Sequence, residues 1–201
     1  MKISILKSDT FKTTKWSGGT TTELYIHPEQ AAYQNRDFDF RLSKAIVTDQ
    51  ESVFTPLPKT HRKLMVLEGS ITLTHENQPS KQLSEFDVDT FDGDRKTSCA
   101  GSCTDFNLMM MGNTSGNLEG FQIQKNQAIE RDVPTGLEFV FDYNFGGKTN
   151  ITVADEAHCI DEGDLMIIER PESRRIRISA FKNSNLVWVN ITTKSGINNS
   201  A

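Results

Sequence analysis

The residues best suited to chemistry in this chain are arginine, acid and amide side chains set two apart on short alternating runs. Asp105-Phe106-Asn107-Leu108-Met109 is the most unusual of these runs. Asp and Asn are poor strand formers, yet they share one face here while Phe106 and Leu108 take the other. Buried without a partner, each such polar group costs roughly 1–3 kcal/mol, so it must meet a bonding group or a ligand. Two readings follow: the pair caps a neighbouring loop through backbone bonds, or it lines a polar pocket. Phe38, Phe40 and Leu42 alternate with Asp39, Arg41 and Ser43 in the same way. Arg41 could lie out in water; turned inward, its planar fork would suit a carboxylate. Arg62, entering the run Leu64 to Leu67, is a second candidate fork.

A third stretch, Trp16-Ser17-Gly18-Gly19-Thr20-Thr21-Thr22-Glu23, joins two glycines to hydroxyls and an acid. The glycines allow a tight loop, and Glu23 shares a strand face with Thr21. No Lys-Ser/Thr follows at phosphate-loop spacing, and the glycines open no helix. A Gly-x-Ser-x-Gly elbow is also missing. His61 could titrate near neutrality but has no second histidine or carboxylate at fixed spacing, and His27, His75 and His158 are scattered. Metal-dependent dioxygenase chemistry needs a set such as two histidines and a carboxylate, and neither Gly93-Asp94 nor Gly163-Asp164 leads into a histidine-bearing strand. Cys99 and Cys103 lack a second pair to complete a zinc site. No catalytic residue, metal ligand or cofactor is therefore assigned.

The elements that must position these residues are strands. Short apolar or β-branched runs recur at Leu64 to Leu67, Ile71 to Thr74, Phe106 to Met111, Phe139 to Tyr143, Ile151 to Val153, Leu165 to Ile168, Ile176 to Ile178 and Leu186 to Ile191. Turn residues such as Gly18-Gly19, Pro56, Pro58, Gly112-Asn113, Gly146-Gly147 and Pro171 separate them. With no long 3.6-residue period, this spacing predicts an all-β barrel or sandwich. A β-rich pattern closing on a Gly-Asp turn occurs twice, at Leu64 to Asp94 and at Asn150 to Ile168, which suggests two barrels. Asn113 to Asn117 is small and polar and forms the candidate boundary, Leu118 to Arg131 could pair with either half, and Ser195 to Ala201 is expected to fray.

A net charge of −5 argues against nucleic acid as a partner. Arg175 and Arg177 alternate with Ile176 and Ile178, as on an exposed strand face. No apolar run suits a signal peptide or a membrane span, and three cysteines without framework spacing fit reduced thiols in a cytoplasm. The glycosylation triplets at Asn150 and Asn190 are then idle.

Taken together, the Trp16 loop with Thr21 and Glu23, Phe38 to Ala45, Val53 to Pro58, Arg62 with Val66 to Gly69, Phe91 to Asp94, and Asp105 to Met109 resemble the HutD/Ves family of bacterial bicupin proteins. The second half matches mainly in its β pattern. The resemblance implies two cupin-like (RmlC-like jelly-roll) antiparallel barrels in one all-β chain. Residues 1–112 would form an N-terminal barrel with the ligand pocket and residues 113–201 a scaffold barrel, with strands open to exchange between them. It further implies a cytoplasmic protein that senses an acidic metabolite such as formylglutamate to restrain histidine utilisation, and it carries over no catalytic activity. The pocket set carried over is Trp16, Thr21, Glu23, Arg41, Ser43, Arg62, Asp105 and Asn107. In a binding module built on that set, Trp16 and Phe106 or Met109 would add an apolar wall that excludes water. The partner expected is a small carboxylate, with no nucleic acid or membrane, and a homodimer is left open. The alternative is a metal-free enzyme, an isomerase or hydrolase using Glu23 or Asp105 as general base.

Overall fold

Alternation and turn chemistry produce strands almost everywhere in the computed structural model, which describes residues 1–48 and 51–193. The first half contains β1 (Lys2–Leu6), β2 (Lys12–Trp16), β3 (Gly19–His27), β4 (Phe40–Val47), β5 (Glu51–Val53), β6 (Thr60–Gly69), β7 (Ile71–His75), β8 (Lys81–Leu83), β9 (Val88–Asp92), β10 (Thr97–Ala100) and β11 (Cys103–Met111). The second contains β12 (Thr114–Ile123), β13 (Ala128–Asp132), β14 (Phe139–Gly146), β15 (Lys148–Val153), β16 (Glu156–Asp161), β17 (Leu165–Glu169), β18 (Arg175–Ala180) and β19 (Ser184–Thr193). The single helical element among the described residues is a 3-10 turn at Ser8–Thr10, and no helix is long and apolar enough to cross a membrane. The fraying expected of Ser195 to Ala201 falls outside the described residues.

All pairings are antiparallel and fall into four sheets. A six-stranded sheet (β2-β3-β4-β11-β6-β9) faces a four-stranded one (β5-β10-β7-β8), and a five-stranded sheet (β1-β17-β14-β19-β12) faces another four-stranded one (β13-β18-β15-β16). The stretch after Met111 joins the latter two sheets through β12 on β19 and β13 on β18. In the opposite direction, β1 leaves the first half and pairs with β17. The basic run reads as expected: Arg175 and Arg177 are exposed on β18 while Ile176 and Ile178 are fully buried.

Three apolar layers follow from period-two alternation. The largest joins the two wide sheets, with Phe40, Leu42, Met65, Leu67, Phe106 and Leu108 packed on Phe141, Tyr143, Ile167, Val187, Val189 and Ile191. Within the second barrel, Val140, Ile151, Ile160, Met166, Ile168, Ile176, Ile178, Leu186 and Trp188 fill the interior. Within the first, Leu64, Val66, Ile71, Leu73, Phe91 and Cys99 fill only part of it. The remainder of that interior is polar. Phe38 departs from the expected alternation: β4 begins at Phe40, so Phe38 lies ahead of the strand and packs with Leu57 and Met109 instead.

Candidate functional site

Three adjacent strands build the polar end of the first barrel. Because Phe40 and Leu42 of β4 and Phe106 and Leu108 of β11 face the second barrel, the pleat turns the intervening residues inward. Cross-strand register then sets them in rows. Arg41, Met109 and Arg62 lie side by side across β4, β11 and β6. Ser43 and Asn107 form the next row, ending on Leu64, and Ala45, Asp105 and Val66 the one after. Polar groups therefore grade into the apolar end over three rows.

Each guanidinium is held without being used up. Arg41 donates through Nε to Glu23 Oε2 at 2.7 Å and through Nη1 to Ser43 Oγ at 3.0 Å, and its plane lies over the Tyr33 ring, 4.4 Å from the centroid. Neither bond uses Nη2. Arg62 donates through Nη2 to Asn107 Oδ1 at 3.0 Å and stacks on Phe54 and Phe91, 5.0 and 5.1 Å from their centroids. Its Nε is buried and unpartnered. Burial lowers the Arg62 pKa from its usual value, offset by the nearby Tyr33 and Asp105. The Asn107 amide passes the chain of bonds on by donating to Asp105 Oδ1. Asp105 is buried, and burial pushes its carboxyl up to about 7 against the opposing pull of Arg62.

These groups open on a cavity of about 340 Å³, the size of a small-metabolite site. Its floor is Arg41, Ser43, Ala45 and Val47 of β4, Arg62 of β6, and Asp105, Asn107 and Met109 of β11. The rim comes from Thr14, Trp16 and Thr21 of the β2–β3 hairpin, Tyr33 and Gln34, and Val53, Phe54 and Thr55. Trp16 Nε1 donates to Thr21 Oγ1 at 3.1 Å, which fixes the indole across the hairpin. A side chain at Gly18 would collide with that ring, and one at Gly19 would strike the Ile46 carbonyl where β3 joins β4.

Seven of the eight residues expected at the pocket line this cavity. Glu23 does not; it stands behind Arg41 as its ion-pair partner, and β3 shifts register between Glu23 and Tyr25. Phe106 is also absent from the wall, being fully buried on the opposite face of β11, and Met109 takes that place. Tyr33 and Phe54 escaped the sequence reading because aromatic residues outside a periodic run carry no facing signal. Phe54, next to Thr55 and Pro56, belongs to a segment already singled out; Tyr33 has no comparable mark. His61 is exposed and bonds Asp92 (Nδ1 to Oδ1, 2.7 Å) rather than entering the cavity.

The family model for HutD matches residues 8–188 of this chain. No curated protein sequence matches it. Among solved structures, a conserved protein of unknown function from Pseudomonas aeruginosa superposes with a TM-score of 0.81 at 18% identity, covering 96% of this chain and 100% of that one. HutD from Pseudomonas fluorescens gives 0.72 at 18% identity, with 96% and 100% covered. The pirin YhhW from Escherichia coli in complex with nickel(II) gives 0.71 at 10% identity, again with 96% and 100% covered. The fold is thus cupin-like in both halves. A metal such as that pirin's does not fit the donors here: two guanidiniums and an amide surround one carboxylate, and among the described residues no group of three or more His, Cys, Asp or Glu side chains could hold an ion.

Proposed function

This chain belongs to the HutD family, and on that premise we propose that it is a small-molecule-binding protein whose first barrel holds an acidic metabolite of the formylglutamate type, sensed in the cytoplasm to restrain histidine utilisation. One observation carries the reading: Arg41 and Arg62 face a single cavity, each secured by other residues yet each with an N–H outside those bonds. Charge-assisted bonds to a carboxylate are the strong use for such donors. Ser43 and Asn107 supply shorter polar reach for a formyl or amide group, and Trp16, Tyr33 and Met109 provide apolar walls. Since Glu23 keeps Arg41 in position, the site is formed before the ligand arrives, which lowers the ordering cost of binding.

The test is thermal. N-formylglutamate at about one hundred times its Kd adds about 2.7 kcal/mol of stability, raising the melting temperature by several degrees. Arg41→Ala removes that rise, and an undiminished rise in this variant would overturn the assignment. A second reading, metal-free acid–base catalysis on a small carboxylic acid, draws on Asp105, whose carboxyl near 7 could exchange a proton with a bound substrate. Turnover of N-formylglutamate followed by NMR and abolished in Asp105→Asn supports it; a thermal rise without turnover favours binding alone.

A further inference from the structure

We propose that the cavity is proton-coupled: it takes up an anion together with a proton, which resides on Asp105 and turns that carboxyl into a hydrogen-bond donor toward the ligand. This rests on the carboxylate reading above. The argument is a charge tally set by geometry. Glu23 lies 2.7 Å from Arg41 Nε, so those two charges compensate each other across the β3–β4 edge. Arg62 bonds only a neutral amide, Asn107, and the opposite charge acting on it within the cavity is Asp105. With Asp105 ionised, the four groups sum to zero and an entering carboxylate must compete for Arg62. With Asp105 neutral they sum to one positive charge, which matches the one ligand carboxylate that reaches Arg62.

Two carboxylates sharing one enclosed guanidinium cannot both ionise at low cost, and one of them takes a proton. Asp105 is the one that does. Apart from Arg62, which makes no bond to it, its side chain is buried among non-ionised groups, whereas a ligand carboxylate gains direct bonds from Arg41 and Arg62. Every element packed against Asp105 agrees. Its own strand β11 offers the Asn107 amide and the Cys103 thiol, and β10 offers Cys99. Burial holds both thiols in the neutral form, at about 12 and about 11. Strand β6 contributes Arg62, and β4 contributes Arg41 two rows away. Tyr33 stands over Arg41 at the rim, and β9 presents Phe91, with its Asp89 closed onto His75 and Lys81. Among the described residues Arg62 is the only cation acting on Asp105, so a ligand that occupies Arg62 removes the charge that keeps Asp105 ionised. The proton comes from solvent and returns to it on release, so no redox partner or leaving group is involved. The neutral carboxyl donates through O–H, so a ligand presenting an oxygen acceptor there is preferred over one presenting an ammonium.

Calorimetric titration with N-formylglutamate in two buffers of different ionisation enthalpy tests this directly. Close to one proton is taken up per ligand at pH 8 and close to none at pH 6, and affinity falls about tenfold per pH unit above 7. Asp105→Asn abolishes the proton uptake and flattens the pH profile, whatever its affinity. Binding of wild type with no proton exchange and a flat profile overturns the coupling while leaving the carboxylate site standing. Absence of binding at every pH overturns both. Independently of ligand, carboxyl-region infrared spectra of Asp142→Asn protein carrying 13C-labelled aspartate, from which the other raised carboxyl has been removed, show a protonated buried carboxyl at pH 6 that is lost above pH 8. Complete ionisation of the remaining aspartates at pH 6 overturns the proposal.

Discussion

Each barrel buries one aspartate on a central strand of its wide sheet, and the two have opposite surroundings. Asp105 on β11 accepts the Asn107 amide, faces Arg62 and opens on a cavity. Asp142 on β14 lies between Met166 and Trp188, and both of its carboxylate oxygens are buried without a partner. Burial pushes both carboxyls up to about 7, each opposed by one arginine. The arginines differ in what they have left to give. Arg131 is committed outward: its Nη1 bonds Glu119 Oε1 at 2.8 Å, its Nη2 bonds Glu119 Oε2, and its plane lies 4.8 Å from Phe121 and 5.4 Å from Trp188. Arg62 spends only Nη2, on the neutral Asn107 amide, and lines the cavity. A buried acid is therefore not a site by itself; space and uncommitted donors beside it make one.

The largest effect that could break this comparison is the pH dependence of stability. A buried carboxyl whose folded-state pKa is raised favours the protonated form. Its contribution is full below the usual value of 3.8 and is lost as pH rises toward about 7. At roughly 1.4 kcal/mol per pKa unit, each aspartate accounts for about 4 kcal/mol of that loss. Asp142→Asn consequently gains up to about 4 kcal/mol over wild type at pH 8 and almost nothing at pH 4, read by urea denaturation at both pH values. Equal gains at the two pH values would show that Asp142 does not titrate with folding and would remove the parallel with Asp105.

The next effect separates the two arginines by binding. Truncating a buried, hydrogen-bonded charge at a ligand interface costs about 2–5 kcal/mol. Arg62→Ala therefore weakens N-formylglutamate by at least about thirtyfold, whereas Arg131→Ala leaves its Kd within about twofold. Similar losses from both substitutions would mean that the second barrel is part of the site, or that ligand binding reports only general stability.

Much of this contrast was legible in alternation. Arg41 with Ser43 and Asp105 with Asn107 sit opposite Phe40, Leu42, Phe106 and Leu108, as period two requires. Other features depended on tertiary context that no local pattern encodes. Asn113 to Asn117 reads as a small, polar boundary, yet Thr114 to Asn117 opens β12 by pairing with β19, and Gly116 stands where any side chain would collide with Ile191 and the Asn190 carbonyl. Phe38 is drawn out of its expected face by Leu57 and Met109. Glu23 shares Thr21's expected face, yet it reaches Arg41 from behind rather than lining the cavity. Asp142 gave no signal, since one acid inside Phe139 to Tyr143 reads as an outward residue until the second sheet covers it.

A third buried aspartate sharpens the rule with a smaller effect and the opposite sign. Asp89 on β9 is 3% exposed; burial pushes its carboxyl up, but bonds from Lys81 and His75 outweigh this and hold it below the usual range. His75 Nε2 meets Asp89 Oδ2 at 2.6 Å and its Nδ1 meets Thr97 Oγ1 at 2.8 Å, tying β7, β9 and β10 together at the apolar end of the first barrel. Stability from Asp89 is present above the unfolded-state value of 3.8 and is lost as pH falls through the lower folded-state value. Asp89→Asn therefore costs about 1–2 kcal/mol at pH 7 and narrows the gap between pH 7 and pH 3. Urea denaturation at those two pH values measures both quantities. An unchanged acid response would place the depression elsewhere in the molecule.

The smallest expected effect reads the comparison optically, because the chain has two tryptophans and each barrel holds one. Trp16 is 39% exposed at the rim of the cavity, while Trp188 is 2% exposed in the packed interior of the second barrel, beside Asp142 and Arg131. Occupancy of the cavity desolvates the Trp16 indole and leaves Trp188 in its apolar setting. Adding N-formylglutamate thus shifts the emission maximum by a few nanometres; Trp16→Phe abolishes the shift and Trp188→Phe preserves it. Gly18→Ala, which forces the indole off the hairpin, weakens binding by only a few fold, since the ring supplies wall and not charge. A ligand-induced shift that survives Trp16→Phe would locate the binding event in the second barrel and reverse the roles assigned to the two halves.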